Sequence, residues 1–345
     1  MHAVIKSTPG PGFIVADVAE PTPAPGEVVL EVEAASVCGT DVHLYDWNRW
    51  AAERVHPPRV VGHEMCGRVA ALGPDVDGVQ IGDRVAVETH LVCGHCPECL
   101  RGDFHVCANT RILGVDVDGA FAEYVAVPRR NLWPVVPGLA PELAALMEPF
   151  GNAVHACSAG RLRGQVVAVF GCGPIGCAAV AIARAENAAR VVAVDPNRYR
   201  LELAERMGAD ALVAAGDDLE PAVTRAAGGP LDCALEMSGA PPAVVASVRL
   251  VRPGGWISVL GIGDAATTLD VGRDVVMKGL TLFGVVGRRM FSTWEQTTAY
   301  LSGPIDPAPL LTHRFALDEV DGAMELIKSG RCGKVVLLPD GRAGH

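Results

Sequence analysis

The chain has 345 residues, half of them hydrophobic, and 29 basic against 40 acidic side chains, for a formal net charge of −11 at pH 7. That length suits about two domain cores, and that charge argues against broad electrostatic attraction to nucleic acid or to an anionic membrane surface. No run of 18 uncharged apolar residues occurs and the opening MHAVIKSTPGPG has no hydrophobic signal core, so a soluble cytoplasmic protein is expected.

Residues 1–150 read as short strands punctuated by turns. In APGEVVLEVEAASVC, a Pro-Gly turn precedes Val28, Leu30 and Val32, which alternate with Val29, Glu31 and Glu33. That period of two predicts a strand with one buried face. The strand runs into CGTDVHLYDWNRW, which gathers Cys38, Thr40, Asp41 and His43, and VVGHEMCG then supplies His63 and Glu64. Taken singly, a lone cysteine on an apolar strand is more often core than ligand, and a His-Glu pair is mostly surface. GRVAALGPDVDGVQIGDRVAV predicts two more strands around a Gly/Pro/Asp loop.

In CGHCPECLRGDFHVC, two, two and seven residues separate Cys93, Cys96, Cys99 and Cys107. Four thiolates so spaced close on one tetrahedral zinc without long-range folding. Disulfides are disfavoured without a secretion signal. An iron–sulfur cluster is disfavoured by the long last gap and the lack of a second cluster motif. With all four ligands from protein, this zinc is structural and does no chemistry.

Residues 151–290 change character. The apolar runs VVAVFG, RVVAVD, LDCALEMSG, GWISVLGI and LTLFGVVG alternate with helical patterns, which predicts a doubly wound parallel sheet and an α/β fold class. The first run leads into Gly171-Cys172-Gly173-Pro174-Ile175-Gly176, a G-x-G-x-x-G between strand and helix. Gly171 allows the tight turn, Gly173 lets a pyrophosphate approach, Gly176 lets helix and strand pack closely, and Pro174 suits the first helical turn. Asp195 ends the next strand, 19 residues past Gly176. It would bind a ribose diol and repel a 2′-phosphate, favouring NAD over NADP, whereas Arg198 and Arg200 nearby could pair with such a phosphate. Residues 291–345 end in helix-like LDEVDGAMELIKSG and strand-like KVVLLP.

A strand-rich domain with a four-cysteine lobe, followed by a dinucleotide domain, resembles the zinc-containing medium-chain alcohol dehydrogenase family. Within it the chain is similar to the threonine dehydrogenases over nearly its whole length, through CGTDVHLYDW, GHE, CGHCPECL…HVC, GAFAEYV, EPFGNAVH, GCGPIG, DPNRYRLELA, LEMSGAP, LGI and LLTHRF. CGTDVH followed by Tyr-Asp-Trp, and EPFGNAVH, are the stretches characteristic of the threonine enzymes.

The resemblance implies a GroES-like catalytic domain over 1–150, a Rossmann NAD-binding domain over 151–290, and a C-terminal segment, 291–345, returning to the first. It implies a second, catalytic zinc in the cleft, with ligands from separate segments: Cys38, His63 and a carboxylate, Glu64 or Glu148. That makes two zinc ions per chain. The implied reaction oxidises L-threonine at C3 to L-2-amino-3-oxobutyrate and passes hydride to NAD, with Thr40 and His43 relaying the alcohol proton to solvent. Cofactor contacts extend from Gly171, Gly173, Pro174, Ile175, Gly176, Asp195 and Arg200 to Leu260, Gly261, Ile262, Val285 and Val286. Arg49, His90 and Asn152 are candidate substrate contacts; if the EPFGNAVH stretch is helical, Glu148, Asn152 and His155 share one face. A homotetramer is implied. One rival is a polyol or 2,3-diol dehydrogenase, which uses the same zinc and cofactor. Another is a catalytically silent NAD(H)-responsive regulator, against which the joint presence of Cys38, Thr40, His43, His63, Glu64 and Glu148 argues. The other six cysteines read as buried apolar fillers.

Overall fold

The computed structural model describes residues 1–263 and 265–339. It divides into one unit formed by Met1–Glu148 with the chain from Leu311 onward, and a second formed by Pro149–Leu310. The sequence places the return of the tail at 291, whereas 291–310 belong to the second unit. An amphipathic helix there, Ser292–Leu301, carries no local signal of which core it will join.

The first unit contains β1 (His2–Lys6), β2 (Ile14–Asp17), β3 (Glu27–Ser36), β4 (Arg59–Val60), β5 (Glu64–Leu72), β6 (Arg84–Val87), β7 (His90–Leu91), β8 (Arg111–Ile112), β9 (Tyr124–Pro128) and β10 (Leu132–Pro134). The second contains β11 (Val166–Phe170), β12 (Arg190–Asp195), β13 (Ala211–Ala214), β14 (Leu231–Glu236), β15 (Val251–Val259) and β16 (Thr281–Gly284). β17 (Leu311–Ala316) and β18 (Lys334–Leu338) come from the tail and complete the sheet of the first unit, in the order β10-β6-β5-β3-β18-β17 with β9 also paired to β3.

β3 keeps the alternating pattern only in its middle, because Val29, expected on the open face, is buried as well. Val28, Leu30 and Val32 are buried and Glu31 is exposed, while half-buried Glu33 takes Arg68 and Arg84 at 3.0 and 2.6 Å. Toward its end Ala34, Ala35 and Ser36 are all buried, because β3 there lies between β5 and β18. Register fixes the neighbours: Ser36 lies opposite Glu64 on one side and Val336 on the other. One end of the sheet thus collects Cys38, Glu64 and Lys334 from three distant parts of the chain.

In the second unit the six strands are parallel, in the order β13-β12-β11-β14-β15-β16. The order reverses between β11 and β14, and a doubly wound sheet opens its ligand crevice at such a switch point. The apolar runs of β11 and β12 are almost wholly buried, as helix-covered parallel strands require. No helix among the described residues is long and apolar enough to cross a membrane.

The helix that carries Thr40 and His43, α1 (Gly39–Asp46), is followed by α2 (Arg49–Arg54). α1 ends at Trp47, whose φ of 54° is left-handed, an uncommon conformation for a bulky residue. A buried lysine fastens this corner. Lys6 Nζ donates to the carbonyls of Gly10 and Gly12 at 2.5 and 2.7 Å and lies 5.2 and 5.1 Å from the Phe13 and Trp47 rings.

The four-cysteine lobe springs from the β7–β8 pair and encloses α3 (Pro97–Leu100). Its sulfurs lie 3.6 Å (Cys93–Cys107), 3.8 Å (Cys96–Cys107) and 4.0 Å (Cys93–Cys99) apart. A tetrahedral zinc with Zn–S bonds of about 2.3 Å needs sulfur separations of roughly 3.8 Å, so the cluster fits the ion. Backbone amides of Cys93, Cys96 and Asn109 donate to sulfurs at 3.4 Å. The His95 backbone amide and the Asn109 side chain hold the Cys93 thiol down to about 5, so it is ready to bind metal as thiolate. None of the eleven cysteines is in a disulfide, and Cys66, Cys157, Cys172, Cys177, Cys233 and Cys332 are buried as fillers.

Two predictions follow from this scaffold. Burial lowers the Lys6 ammonium to about 8, with Asp46 opposing, whereas in the unfolded chain it titrates near 10.5. The unfolded state then binds more protons between these values, so Lys6 makes stability rise with pH across that window. In calorimetry, the Tm of the wild type minus that of Lys6→Met should widen from pH 8 to pH 10. Separately, Cys107→Ser should lower bound zinc by one ion per chain, measured by elemental analysis, and lower Tm by at least about 5 °C.

Candidate functional site

Cys38 leaves β3 and caps α1. Its backbone amide donates to Asp41 Oδ2 at 2.9 Å, and the Thr40 hydroxyl lies 3.8 Å from its sulfur. Asp41 sits at the third position of the helix, where an acid reaching back to the cap is a known N-terminal device. It is fully buried, and its other oxygen lies 3.6 Å from Nδ1 of His63; neither atom has a hydrogen-bond partner. His63 follows Gly62, whose φ is 88° and where a Cβ would come within 2.1 Å of the Phe121 ring. Only glycine fits that turn, and the turn aims Nδ1 of His63 at Asp41. Nε2 is then left for a ligand, an arrangement common to metal-bound histidines.

Donor atoms of Cys38, His63 and Glu64 lie within 4.8 Å of one another. Glu64 is also held from two sides, because the hydroxyl of Ser36 and the ammonium of Lys334 both donate to its Oε2. Lys334 further donates to the carbonyl of Val37 at 3.1 Å. Glu148 is buried near the start of α5 (Met147–Cys157), which follows the short helix α4 (Pro141–Ala144). It is outside the three-donor group, yet its charge acts on both His63 and Lys334.

The pocket favours positive charge. Burial would discharge the His63 imidazole, but Asp41, Cys38 and Glu148 outweigh it and raise His63 to about 10. Burial likewise opposes the Lys334 charge, and Glu64, Cys38 and Glu148 hold it above its ordinary value. Asp41 is pushed up by burial. A thiol, an imidazole and a carboxylate, with more acid groups behind them, are a donor set that fits zinc.

The other candidates are placed unevenly. His43 is exposed on α1, with Nδ1 3.0 Å from the Asn48 amide. Arg49 is 91% exposed and pairs with Glu53 at 2.7 Å; the guanidinium over the Trp50 ring is that of Arg54, at 5.9 Å. His90 is largely buried, its backbone amide donating to Glu88 at 2.9 Å. Asn152 and His155 lie on α5 in the second unit. Asn152 Oδ1 accepts from buried Arg288 at 3.0 Å. His155 accepts from Arg289 at 3.3 Å through Nε2, which leaves Nδ1 to donate to the Gly287 carbonyl at 2.9 Å. The double arginine of GRRMFSTW, from which no catalytic role is read in the sequence, thus clasps α5. Its only sequence signal is two charges directly after an apolar strand.

The nucleotide-binding candidates gather at the carboxyl ends of β11, β12 and β14. A cavity of about 630 Å³ is lined there by Gly171, Gly173, Asp195, Arg200, Asp217 and Ser238, among others. A Cβ on Gly176 would strike the Gly171 carbonyl at 1.9 Å, whereas one on Gly173 would meet nothing within 4 Å. The first of these glycines enforces close packing and the second leaves the cradle open. Pro174 and Ile175 start α6 (Pro174–Ala185). The oxygens of buried Asp195 accept from the amides of Cys172 and Asn197 at 2.7 and 2.8 Å, and further lone pairs remain for a ribose. Arg200 Nε is buried without a partner, a donor that suits a bound nucleotide. Leu260, Gly261 and Ile262 follow β15, with Leu260 and Gly261 donating to the Glu236 carbonyl. Val285 and Val286 follow β16.

Comparison with known proteins agrees with this geometry. Residues 24–137 match the alcohol dehydrogenase GroES-like domain, and residues 174–302 match the zinc-binding dehydrogenase model. The chain is 47% identical to an L-threonine 3-dehydrogenase of Bacillus licheniformis, over 98% of this chain and 99% of the relative. It is 46% identical to one of Symbiobacterium thermophilum, over 99% of both. Among solved structures it resembles a short chain alcohol dehydrogenase of Escherichia coli complexed with NADH (TM-score 0.90, 29% identity, 98% of this chain and 99% of that one). It also resembles the 2R,3R-butanediol dehydrogenase of Bacillus subtilis (TM-score 0.88, 27% identity, 98% and 99%). With its metal-donor set, its four-cysteine lobe and its doubly wound sheet, the chain belongs to the zinc-containing medium-chain alcohol dehydrogenase family.

Proposed function

We propose that the protein oxidises L-threonine at C3 to L-2-amino-3-oxobutyrate, with hydride passed to NAD. The observation that carries this reading is identity of 46–47% along essentially the whole chain to L-threonine 3-dehydrogenases. Zinc held by Cys38, His63 and a carboxylate supplies Lewis acidity toward an alcohol, which is otherwise far too weak an acid to ionise at neutral pH. Glu64 and Glu148 are the two carboxylates that would fill this place, and they would exchange as substrate enters. Asp41 faces Nδ1 of His63 at 3.6 Å, which leaves Nε2 as the nitrogen that would meet the metal. Thr40, beside the Cys38 sulfur, accepts the alcohol proton, and exposed His43 hands it to solvent, a shuttling task that imidazoles commonly perform. Asp195 selects NAD by binding the ribose diol. His90, Asn152 and Arg49 are the proposed substrate contacts, Arg49 the weakest because its guanidinium is committed to Glu53.

The protein works in the cytoplasm, whose reducing conditions suit eleven unpaired cysteines. It assembles as a homotetramer, for which support comes from β16, the outermost strand of its sheet, and from exposed Leu282 and Val286 beside it.

A second reading, a 2,3-diol or polyol dehydrogenase, is favoured by the likeness to the butanediol enzyme. NADH formation from L-threonine, L-serine, sorbitol and 2,3-butanediol separates the two. Threonine should give the highest kcat/KM by at least about tenfold, and prior zinc chelation should abolish turnover. Higher activity on a diol would overturn the substrate, and no turnover by the zinc- and NAD-loaded protein would favour a silent regulator. His43→Ala should lower kcat at least about tenfold below pH 8, with partial rescue by added imidazole. Full turnover across pH 6–9 would remove His43 from the relay.

A further inference from the structure

Glu236 is the last residue of β14 and is fully buried. A buried carboxylate needs donors that replace water. Its donors come from the residues just after it. Oε1 accepts from the Ser238 amide at 2.9 Å, from the Ser238 hydroxyl and from the Gly239 amide at 3.1 Å. Oε2 accepts from the Gly239 amide at 3.0 Å. The Ser238 hydroxyl in turn accepts from the Ala240 amide at 3.1 Å, just before the helix Pro241–Leu250. Burial pushes the Glu236 carboxyl up, and the Ser238 and Gly239 donors oppose that by favouring the charged form. The backbone of the same residue is engaged on its other side, where its carbonyl accepts from the Leu260 and Gly261 amides at 2.9 and 3.2 Å.

The segment folded by this carboxylate is a wall of the cavity at the strand ends, where Met237, Ser238 and Ala240 line it together with Gly171, Gly173 and Asp195. It is also wedged between its neighbours. A Cβ on Gly171, after β11, would come within 2.8 Å of the Ser238 Cβ, and one on Gly261, after β15, within 2.0 Å of the Gly239 nitrogen. At such spacing the loops after β11, β14 and β15 cannot shift independently. The first of them opens the G-x-G-x-x-G and the last carries Leu260, Gly261 and Ile262. We propose that Glu236 is a positioning residue for the dinucleotide. Its carboxylate fixes the 238–240 wall, and through that wall the loops on either side, at the separation that admits the cofactor. It acts through Ser238 and Gly239. This role rests on the reading of the cavity as the NAD site.

The test uses the full-length, zinc-loaded protein, with NADH binding followed by its fluorescence and turnover by NADH formation from L-threonine. In Glu236→Gln one oxygen becomes an amino group that cannot accept from an amide. The Kd for NADH and the KM for NAD should rise about tenfold. At saturating NAD kcat should not fall, and zinc content should hold, because binding alone is lost. Ser238→Ala, which keeps the test open if Glu236→Gln does not fold, should weaken NADH binding about threefold. The double variant should lose less than the product of the two effects, because hydroxyl and carboxylate act through one shared bond. A Glu236→Gln protein with lower kcat and Tm but wild-type NADH affinity would make the residue merely structural and overturn the proposal, as would effects that simply multiply in the double variant. If the wild type binds neither NADH nor ADP-ribose, the NAD-site reading fails first and this role with it. NADH binding that is present in the wild type and equally tight in Glu236→Gln overturns this role alone.

Discussion

Four acidic groups, Cys38, Asp41, Glu64 and Glu148, are gathered around one imidazole and one ammonium, with little access to water. Such a collection opposes folding unless positive charge answers it, because burying like charges together is unfavourable on both solvation and Coulombic grounds. Lys334 and a proton on His63 supply part of that charge. A divalent cation would supply it more completely, and its binding would then be coupled to the folding of this end of the sheet. Much of the first unit serves the arrangement: β3 delivers Ser36 and Cys38, β5 delivers Glu64, and β18 carries Lys334 across from the tail.

The two donor clusters differ in how many ligands the protein gives. The lobe offers four sulfurs at tetrahedral spacing with backbone amides behind them, a closed site. The other offers a thiol, an imidazole and a carboxylate held at one oxygen by Ser36 and Lys334, and keeps a hydroxyl beside the sulfur. In the second unit steric limits do the comparable work: Gly176 cannot carry a side chain, Gly173 leaves the cradle open, and both oxygens of Asp195 are held in place by amides. That unit offers a pre-shaped cavity with the features of a nucleotide site.

What could be read from the sequence follows the range of the interactions. The cysteine quartet and the G-x-G-x-x-G are local, so spacing alone indicates their chemistry. The doubly wound sheet shows in its continuous apolar runs. Cys38 and His63 lie 25 residues apart and become legible only through resemblance. Lys334 and Ser36 escape notice because a lysine opening KVVLL and a serine closing a strand look like surface residues, and register alone makes them neighbours of Glu64. Asp41 does carry a signal, three residues past a helix cap. Arg49 lies between Trp47 and Trp50 in sequence, yet the cation stacked on Trp50 is Arg54, four residues along α2. The tail boundary shifts from 291 to Leu311 because an amphipathic helix does not announce which core it covers.

These acidic groups should hold a metal distinct from that of the cysteine lobe. Zinc content per chain, measured by elemental analysis on wild type and Cys38→Ala purified under identical conditions, tests it directly. Two zinc ions are expected in the wild type and one in Cys38→Ala, with the lobe still loaded. One zinc in the wild type, or two retained in Cys38→Ala, would contradict it.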